Sequence, residues 1–326
     1  MIMMTMLSTT SPTRMMRTGA SLRRLGTLAG LLLLCVLLWA LTPYFLTVSN
    51  LLNVLEQTAI NAVIAAGMTF VIISGGIDLS VGSLVALAGV VLALCLQAGV
   101  PAPAAAVAAL AAGAGFGLLN GLAVTWGRLP PFIATLGMMS IARGCALLFT
   151  GGRPISGFDE AFRSLATGRV LGIPAPVFVT IAVYALGRFV LGETAFGRYV
   201  YAIGGNEEAT RLSGVSVRFH KTMVYAVSGF ASAIAAVVLT ARLNSAQPIA
   251  GIMYELDAIA ATVIGGTSLA GGEGGLGGTI VGALIMGVLR NGLNLLGVSS
   301  FVQQIVIGLV IVVAVLVDTA FRPRRT

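Results

Sequence analysis

The sequence predicts an all-α polytopic membrane protein with about ten transmembrane helices, and three observations carry that prediction. Hydrophobic residues make up 57% of the 326 and charged ones only 9%, against roughly 25% charged in a soluble domain. Apolar runs of bilayer length follow one another along most of the chain, whose mean hydropathy is +1.00. The 42 glycines, with abundant alanine, fit close helix packing in lipid rather than flexible linkers. The short alternating segments of a membrane barrel are absent.

Taken in order, residues 1–24 are expected to form a disordered tail, which Arg14, Arg17, Arg23 and Arg24 hold on the cytoplasmic side. Residues 25–321 are expected to form one transmembrane domain, and 322–326 a basic tail. The apolar run 25–42 lacks a convincing small-residue cleavage site and reads as an uncleaved first span rather than a signal peptide or twin-arginine export signal. In the second span Asn50, Asn53, Gln57 and Asn61 recur at i, i+3, i+7 and i+11, one stripe of a helix. An amide stripe in lipid either bonds neighbouring helices or lines a wet pathway, and the spacing alone leaves both open. The span stops at Gly75-Gly76. Asp78 and Ser80 can then cap a helix beginning near Val81; an ion-coupling carboxylate is the other reading of Asp78.

Further spans follow at 81–98, 104–126, 132–150, 177–191, 222–241, 279–296 and 302–317, with a short one at 256–267 between them. The polar loop 151–176 and the stretch 242–255 are expected outside. This topology puts both termini inside, and most of the basic residues then fall on cytoplasmic segments, as the positive-inside bias requires. Arg143, Arg188 and Arg290 lie within spans. Cys35, Cys95 and Cys145 fall in apolar runs without CxxC spacing and read as small hydrophobes. The sequence contains a faint internal echo: Ile73-Ser74-Gly75-Gly76 against Ile264-Gly265-Gly266, and Asn120-Gly121-Leu122 against Asn291-Gly292-Leu293.

The longest polar segment, 192–221, falls on the cytoplasmic side. Gly204-Gly205 reads as a turn and Asn206 as an N-cap. Glu207 and Glu208 occupy the helix start, where negative charge is favoured. Glu207 and Arg211 are spaced i,i+4, Ala209 and Leu212 share a face, and Gly214 suits the position just past the helix end. A helix of about two turns is marginal alone and needs a surface to pack on.

The net charge of +8 does not indicate nucleic acid, because no basic and aromatic residues interleave. There is no GxxxxGK[ST] loop, so the chain is not its own P-loop ATPase. The single histidine, His220, rules out histidine metal clusters and a Ser-His-Asp triad. Ionisable groups at depth are few, chiefly Glu56, Arg143 and Arg290, with Glu255 and Asp257. Amides are more plentiful: Asn53, Gln57, Asn61, Asn120, Asn291, Asn294 and Gln303 are the candidate lining of a path for a neutral, hydroxyl-rich solute. A membrane domain without an engine that carries an unpartnered cytoplasmic helix implies a separate ATPase. A stand-alone carrier or facilitator for a neutral polar solute is the alternative.

Long runs make the sequence resemble the permease subunits of ribose-type ABC sugar importers, over about residues 41–318. These are SGGIDLSVGS (74–83), PPFIATLGMMSIARG (130–144), GRYVYAIGGNEEATRLSGV (197–215), SAQPIAGIMYELDAIAATVIGGTSLAGG (245–272) and NGLNLLGVSS (291–300). The resemblance implies the ABC importer permease fold and the bacterial inner membrane. It implies a homodimer or paired permease, a cytoplasmic ATP-binding subunit holding ATP and magnesium, and an extracytoplasmic sugar-binding protein. It assigns residues 204–214 to the coupling contact with the ATPase. SAQP and YELDAIAA look most like the ribose members, while Glu273 stands where relatives often have a basic residue.

Overall fold

The computed structural model describes residues 12–320, which fold almost wholly as helices. The order is α1 (Pro12–Leu41), α2 (Val48–Ile73), α3 (Val81–Gln97), α4 (Ala102–Thr125) and α5 (Pro131–Thr150), then the two-residue strand β1 (Ile155–Ser156) and α6 (Glu160–Thr167). Strands β2 (Arg169–Val170) and β3 (Ile173–Pro174) form a tight ribbon before α7 (Ala175–Glu193), α8 (Ala195–Gly205), α9 (Glu207–Leu212) and α10 (Val217–Leu243). Strand β4 (Ser245–Ala246), α11 (Tyr254–Ile264), α12 (Leu276–Leu295) and α13 (Ser300–Ala320) complete the chain. Six helices, α2, α4, α5, α7, α10 and α12, are long and apolar enough to span a bilayer. Shorter apolar helices lie within α1, α3 and α13, and α11 falls where the short span was expected. The chain is an all-α polytopic membrane protein.

Helices α2 and α10 form the centre. Of their apolar windows 83% and 67% are buried, against 17% for α5 and α7, so the outer helices present leucine, isoleucine and phenylalanine to the surroundings, as a lipid-facing ring does. Helix α10 packs on α4, α2 and α3. Its closest approach is to α4, along Gly113, Gly117 and Gly121. A Cβ at Gly113 would run into the Gly229 backbone, and one at Gly121 into that of Thr222. Small residues let helices meet at backbone distance where lipid supplies no hydrophobic drive between them.

The structure corrects three expectations. Residues 12–24, expected as part of a disordered tail, belong to helix α1: Pro12 is tolerated in a first turn, and Arg, Met, Ala and Leu, good helix formers, outnumber Thr13, Thr18, Gly19 and Ser21 before the apolar run. Residues 1–11 and 321–326, which include most of the N-terminal tail's first half and the basic C-terminal tail, lie outside the described residues. Second, Gly204-Gly205 is not a turn but the last two residues of α8, so the polar segment is two consecutive helices rather than one flanked by loops. Third, the stretch 244–253 is not a simple outer loop. It leaves β4, which pairs antiparallel with β1, and then lies along α3 until Gly251 meets the backbone of Gly82 in the first turn of that helix.

The internal echo extends no further than a common way of ending helices, which also closes α3, α5, α9 and α12. After α2, Gly75 (φ +78°) is followed by bonds from Gly75 N to Ile72 O and from Gly76 N to Val71 O. After α11, Gly266 (φ +89°) is followed by Gly266 N to Val263 O and Thr267 N to Thr262 O. Both are Schellman caps, which need a left-handed residue past the helix. Asn120 and Asn291, by contrast, take unrelated partners.

The glycine seam predicts a sharp positional contrast. Gly229→Leu, which must push α4 away, is expected to abolish the monodisperse peak in fluorescence-detected size exclusion. Gly115→Leu, with nothing within 4 Å of its Cβ position, is expected to keep it.

Candidate functional site

At one end of the bundle, α8 and α9 form a short rigid arm. Thr194 Oγ1 accepts from Gly197 N at 3.3 Å to start α8. Val200 and Ile203 are buried, and Gly204 is pressed against Ile73 O and Gly272 N so tightly that any Cβ there would overlap them. The reason Gly204 is glycine is this contact rather than a turn. Gly272 N donates to Ile73 O at 2.8 Å, and Tyr201 Oη donates to Gly274 O at 2.9 Å. The end of α2, the 265–275 loop and α8 are thus one joint.

Asn206 ends α8 and begins α9, its Oδ1 accepting from Ala209 N at 2.9 Å. The other end of α9 also closes in a Schellman cap, at Gly214 (φ +82°), with Gly214 N on Arg211 O and Val215 N on Thr210 O. The expected Glu207–Arg211 pair is replaced by two others. Arg211 grips both carboxylate oxygens of Glu208, at 2.7 and 2.6 Å, and Lys221 ties Glu207 to α10 at 2.8 Å. The i,i+3 geometry wins because Glu207 turns back toward α10. The Glu208–Arg211 pair is about two-thirds exposed, and such pairs contribute roughly 0–1 kcal/mol; it shapes the surface more than it holds the helix. Ala209 and Leu212 are both exposed, Leu212 at 79%. Capped at both ends and anchored through Thr210 and Lys221, α9 presents an apolar and charged face that none of the described residues covers.

Deeper in the bundle, two segments leave helical geometry. Residues 74–80 connect α2 to α3. In them Asp78, fully buried, accepts from Ser80 N (3.0 Å), Ser80 Oγ (2.6 Å) and Ser228 Oγ (2.8 Å), while Asn120 Nδ2 reaches Ser80 Oγ at 2.8 Å. Asp78 therefore builds the turn leading into α3 and is braced by Ser228 of α10, whereas Ser80 stands at the N-cap without making the expected side-chain cap. At 247–253 the guanidinium of Arg143, on α5, donates to Pro248 O and Ala250 O, each at 2.7 Å. The two segments meet where Gly82 faces Gly251.

The amide candidates divide into two groups. Asn50 and Asn291 form a reciprocal buried pair at 3.0 and 2.9 Å between α2 and α12. Gln303 bonds Asn294 and Val298 O, both at 2.8 Å, and Asn120 serves Ser80. These are interhelical bonds. Asn53 and Gln57 are exposed on α2. Asn61 reaches Asp257 Oδ2 at 3.2 Å, and Arg290 reaches the same oxygen at 2.7 Å. Arg242, from α10, meets Glu56 on α2 at 2.8 Å. Among the described residues no three His, Cys, Asp or Glu side chains gather as a metal site.

A profile of the family described as branched-chain amino acid transport system / permease component matches residues 50–315. The chain belongs to that permease family. Among curated relatives, it is 50% identical to the ribose import permease protein RbsC of Escherichia coli K12 over 305 residues, 92% of this chain and 95% of the relative. It is 49% identical to the RbsC of Bacillus subtilis over 299 residues, 91% and 93% of the two chains. It is 39% identical to the D-allose transport system permease protein AlsC of Escherichia coli over 295 residues, 90% of each. No solved structure matches it.

In this permease, sequence reasoning found the arm's N-cap and C-terminal glycine but missed α8. The alternation of Val200 and Ile203 with Gly197 and Gly204 carried that helix, hidden by the assumption that paired glycines turn. It gave Arg242 no partner, which the structure supplies in Glu56, each about three-quarters buried in its side chain.

Removing Arg143 strands two carbonyls, each at a cost of about 1–3 kcal/mol when left unpaired. Arg143→Met is therefore expected to lower the thermal midpoint in detergent by several degrees, and Arg143→Lys, with one compact donor group in place of the fork, by less. Asn50→Ala and Asn291→Ala are expected to be non-additive, with a coupling of about 0.6 kcal/mol and at most ~1.7 in a double-mutant cycle.

Proposed function

We propose that this chain is the membrane-spanning permease subunit of an ATP-binding cassette importer that carries ribose, or a related pentose or hexose, into the cytoplasm. The family assignment and the identities of its relatives support transport by this chain rather than catalysis. The observation that carries the mechanism is α9, a helix too short to stand alone, capped at both ends and exposing Leu212, Glu208 and Arg211. A groove on a cytoplasmic ATP-binding subunit, which holds the ATP and magnesium, is the surface it fits. This puts the α9 end and both termini in the cytoplasm, in the inner membrane of a bacterium. An extracytoplasmic sugar-binding protein delivers solute at the far end, where β1, β4 and α6 lie. Two permeases pair around two ATPases, and annular lipid covers the remaining apolar faces.

In this reading ATPase closure moves α9. The motion passes through α8 to the joint at Gly204, and there divides between the end of α2 and the glycine-rich loop leading into α12. These are the helices that bear Asn53, Gln57, Asn61 and Arg290, so the arm and the polar face move together. This is alternating access driven from outside the chain.

Glu208→Ala/Arg211→Ala is expected to leave assembly intact but reduce ATP-driven ribose uptake in proteoliposomes about tenfold or more. ATP hydrolysis should no longer respond to the sugar-loaded binding protein. Normal uptake by that variant would remove the coupling role, and sugar flux through liposomes containing this chain alone would replace the importer with a stand-alone carrier.

A further inference from the structure

Among the described residues six buried side-chain oxygens have no hydrogen-bond partner, and three of them sit at one junction of α2, α11 and α12: Thr58 Oγ1, Asn61 Oδ1 and Asp257 Oδ1. Buried oxygens are ordinarily satisfied, so three together call for a cause. Thr58 and Asn61 are i, i+3 on α2. Thr58 faces Gly287, where a Cβ would overlap its Oγ1, and Gly287 is in turn i, i+3 to Arg290 on α12. Asp257 is 2% exposed and spends only Oδ2 on its neighbours, Arg290 at 2.7 Å and Asn61 at 3.2 Å. The Arg290 side chain is 38% exposed, so the cluster opens to one side beside it.

The chemistry of that arrangement is selective. Asp257 and Arg290 cancel in charge, the Glu56–Arg242 pair on α2 and α10 cancels as well, and Glu255, in the same turn of α11 as Asp257, is offset by Arg143. Nothing there favours an ion. What is left over is two acceptors, on Asn61 and Asp257, one hydroxyl on Thr58, and the guanidinium N–H groups that Asp257 does not use. A matching ligand is neutral, brings at least two O–H donors close together, and offers oxygens for a guanidinium to bond. A vicinal diol has that pattern.

We propose that Thr58, Asn61, Asp257 and Arg290 form a hydroxyl-binding station for a neutral polyol inside the bundle. The station rests on the transport reading above and names a place on the route. It holds the solute weakly, since a route must release what it binds.

The test uses the purified permease in nanodiscs with D-ribose as the probe, read by saturation-transfer NMR. Transfer to ribose is expected from the wild type at millimolar sugar and should be displaced by excess ribitol. It is expected to fall about tenfold, the effect of losing ~1.4 kcal/mol, in Thr58→Val, which keeps the side chain's shape, and in Asn61→Ala. Asn120→Ala, which lies in the separate Ser80 network, should retain it. If Asn61→Ala fails to fold, the near-isosteric Thr58→Val still decides. Absence of transfer in the wild type, or undiminished transfer in Thr58→Val, overturns the station and leaves the three oxygens to a buried water. ATP-driven uptake by the complete importer separates the two ideas. Uptake without ribose transfer to the permease sinks the station alone, whereas ribose transfer without ATP-driven uptake sinks the importer reading alone.

Discussion

A backbone carbonyl or N–H stranded in hydrocarbon costs several kcal/mol, and this chain leaves its helical ladder twice within the bundle. Each departure is tolerated because a side chain from a different helix supplies the missing partner. At 74–80 Thr135 of α5 donates to Ile77 O, while the segment's own Asp78 takes Ser80 N and is itself held by Ser228 from the central helix α10. At 247–253 Arg143 gives two bonds to the carbonyls of Pro248 and Ala250. An arginine in a span thus finds its partner in bare peptide rather than in a carboxylate. The short helices α3 and α11 depend on these two contacts, since each begins only where the irregular backbone has been satisfied.

Those two starts also fix where the polar chemistry lies. Gly82 and Gly251 touch, so α3 and α11 begin side by side, and Glu255 and Asp257 fall in the first turn of α11. Unbroken spans would have carried the carboxylates past the bundle interior. The broken ones hold Asp257 against Asn61 and Arg290, on the same helices, α2 and α12, to which the α8–α9 arm is jointed at its other end. The polar face and the α8–α9 arm therefore share two helices, which is the arrangement the proposed coupling draws on.

The sequence made the fold class plain because lipid demands long apolar runs, and those survive any error in boundaries. It made α9 plain because capping chemistry is local: Asn206 and Gly214 each act within three residues of themselves. It misjudged what depends on contacts distant in the chain. Paired glycines at 204–205 look like a turn from within, and only the approach of Ile73 and Gly272 shows that they are a packing surface. The stripe Asn50, Asn53, Gln57 and Asn61 has one periodicity but two fates, because Asn291 happens to meet Asn50 whereas Asn53 and Gln57 face outward. Spacing along one helix carries no information about its neighbours. For the same reason Thr58, lying between stripe positions, drew no notice, although it joins Asn61 in the cluster at Asp257.

The joint at Gly204 has a mechanical consequence. Most helix contacts are made through side chains, whose torsions yield when one helix is pushed and so absorb part of the displacement. At Gly204 the backbone of α8 bears directly on the backbone of Ile73 and Gly272, with no rotatable group in between to take up slack. On the coupling reading proposed above, movement delivered to α9 would reach α2 and the loop before α12 with little loss. A methyl group inserted there would do more than crowd the interface; in the proposed linkage it would add play between the surface helix and the middle of the bundle.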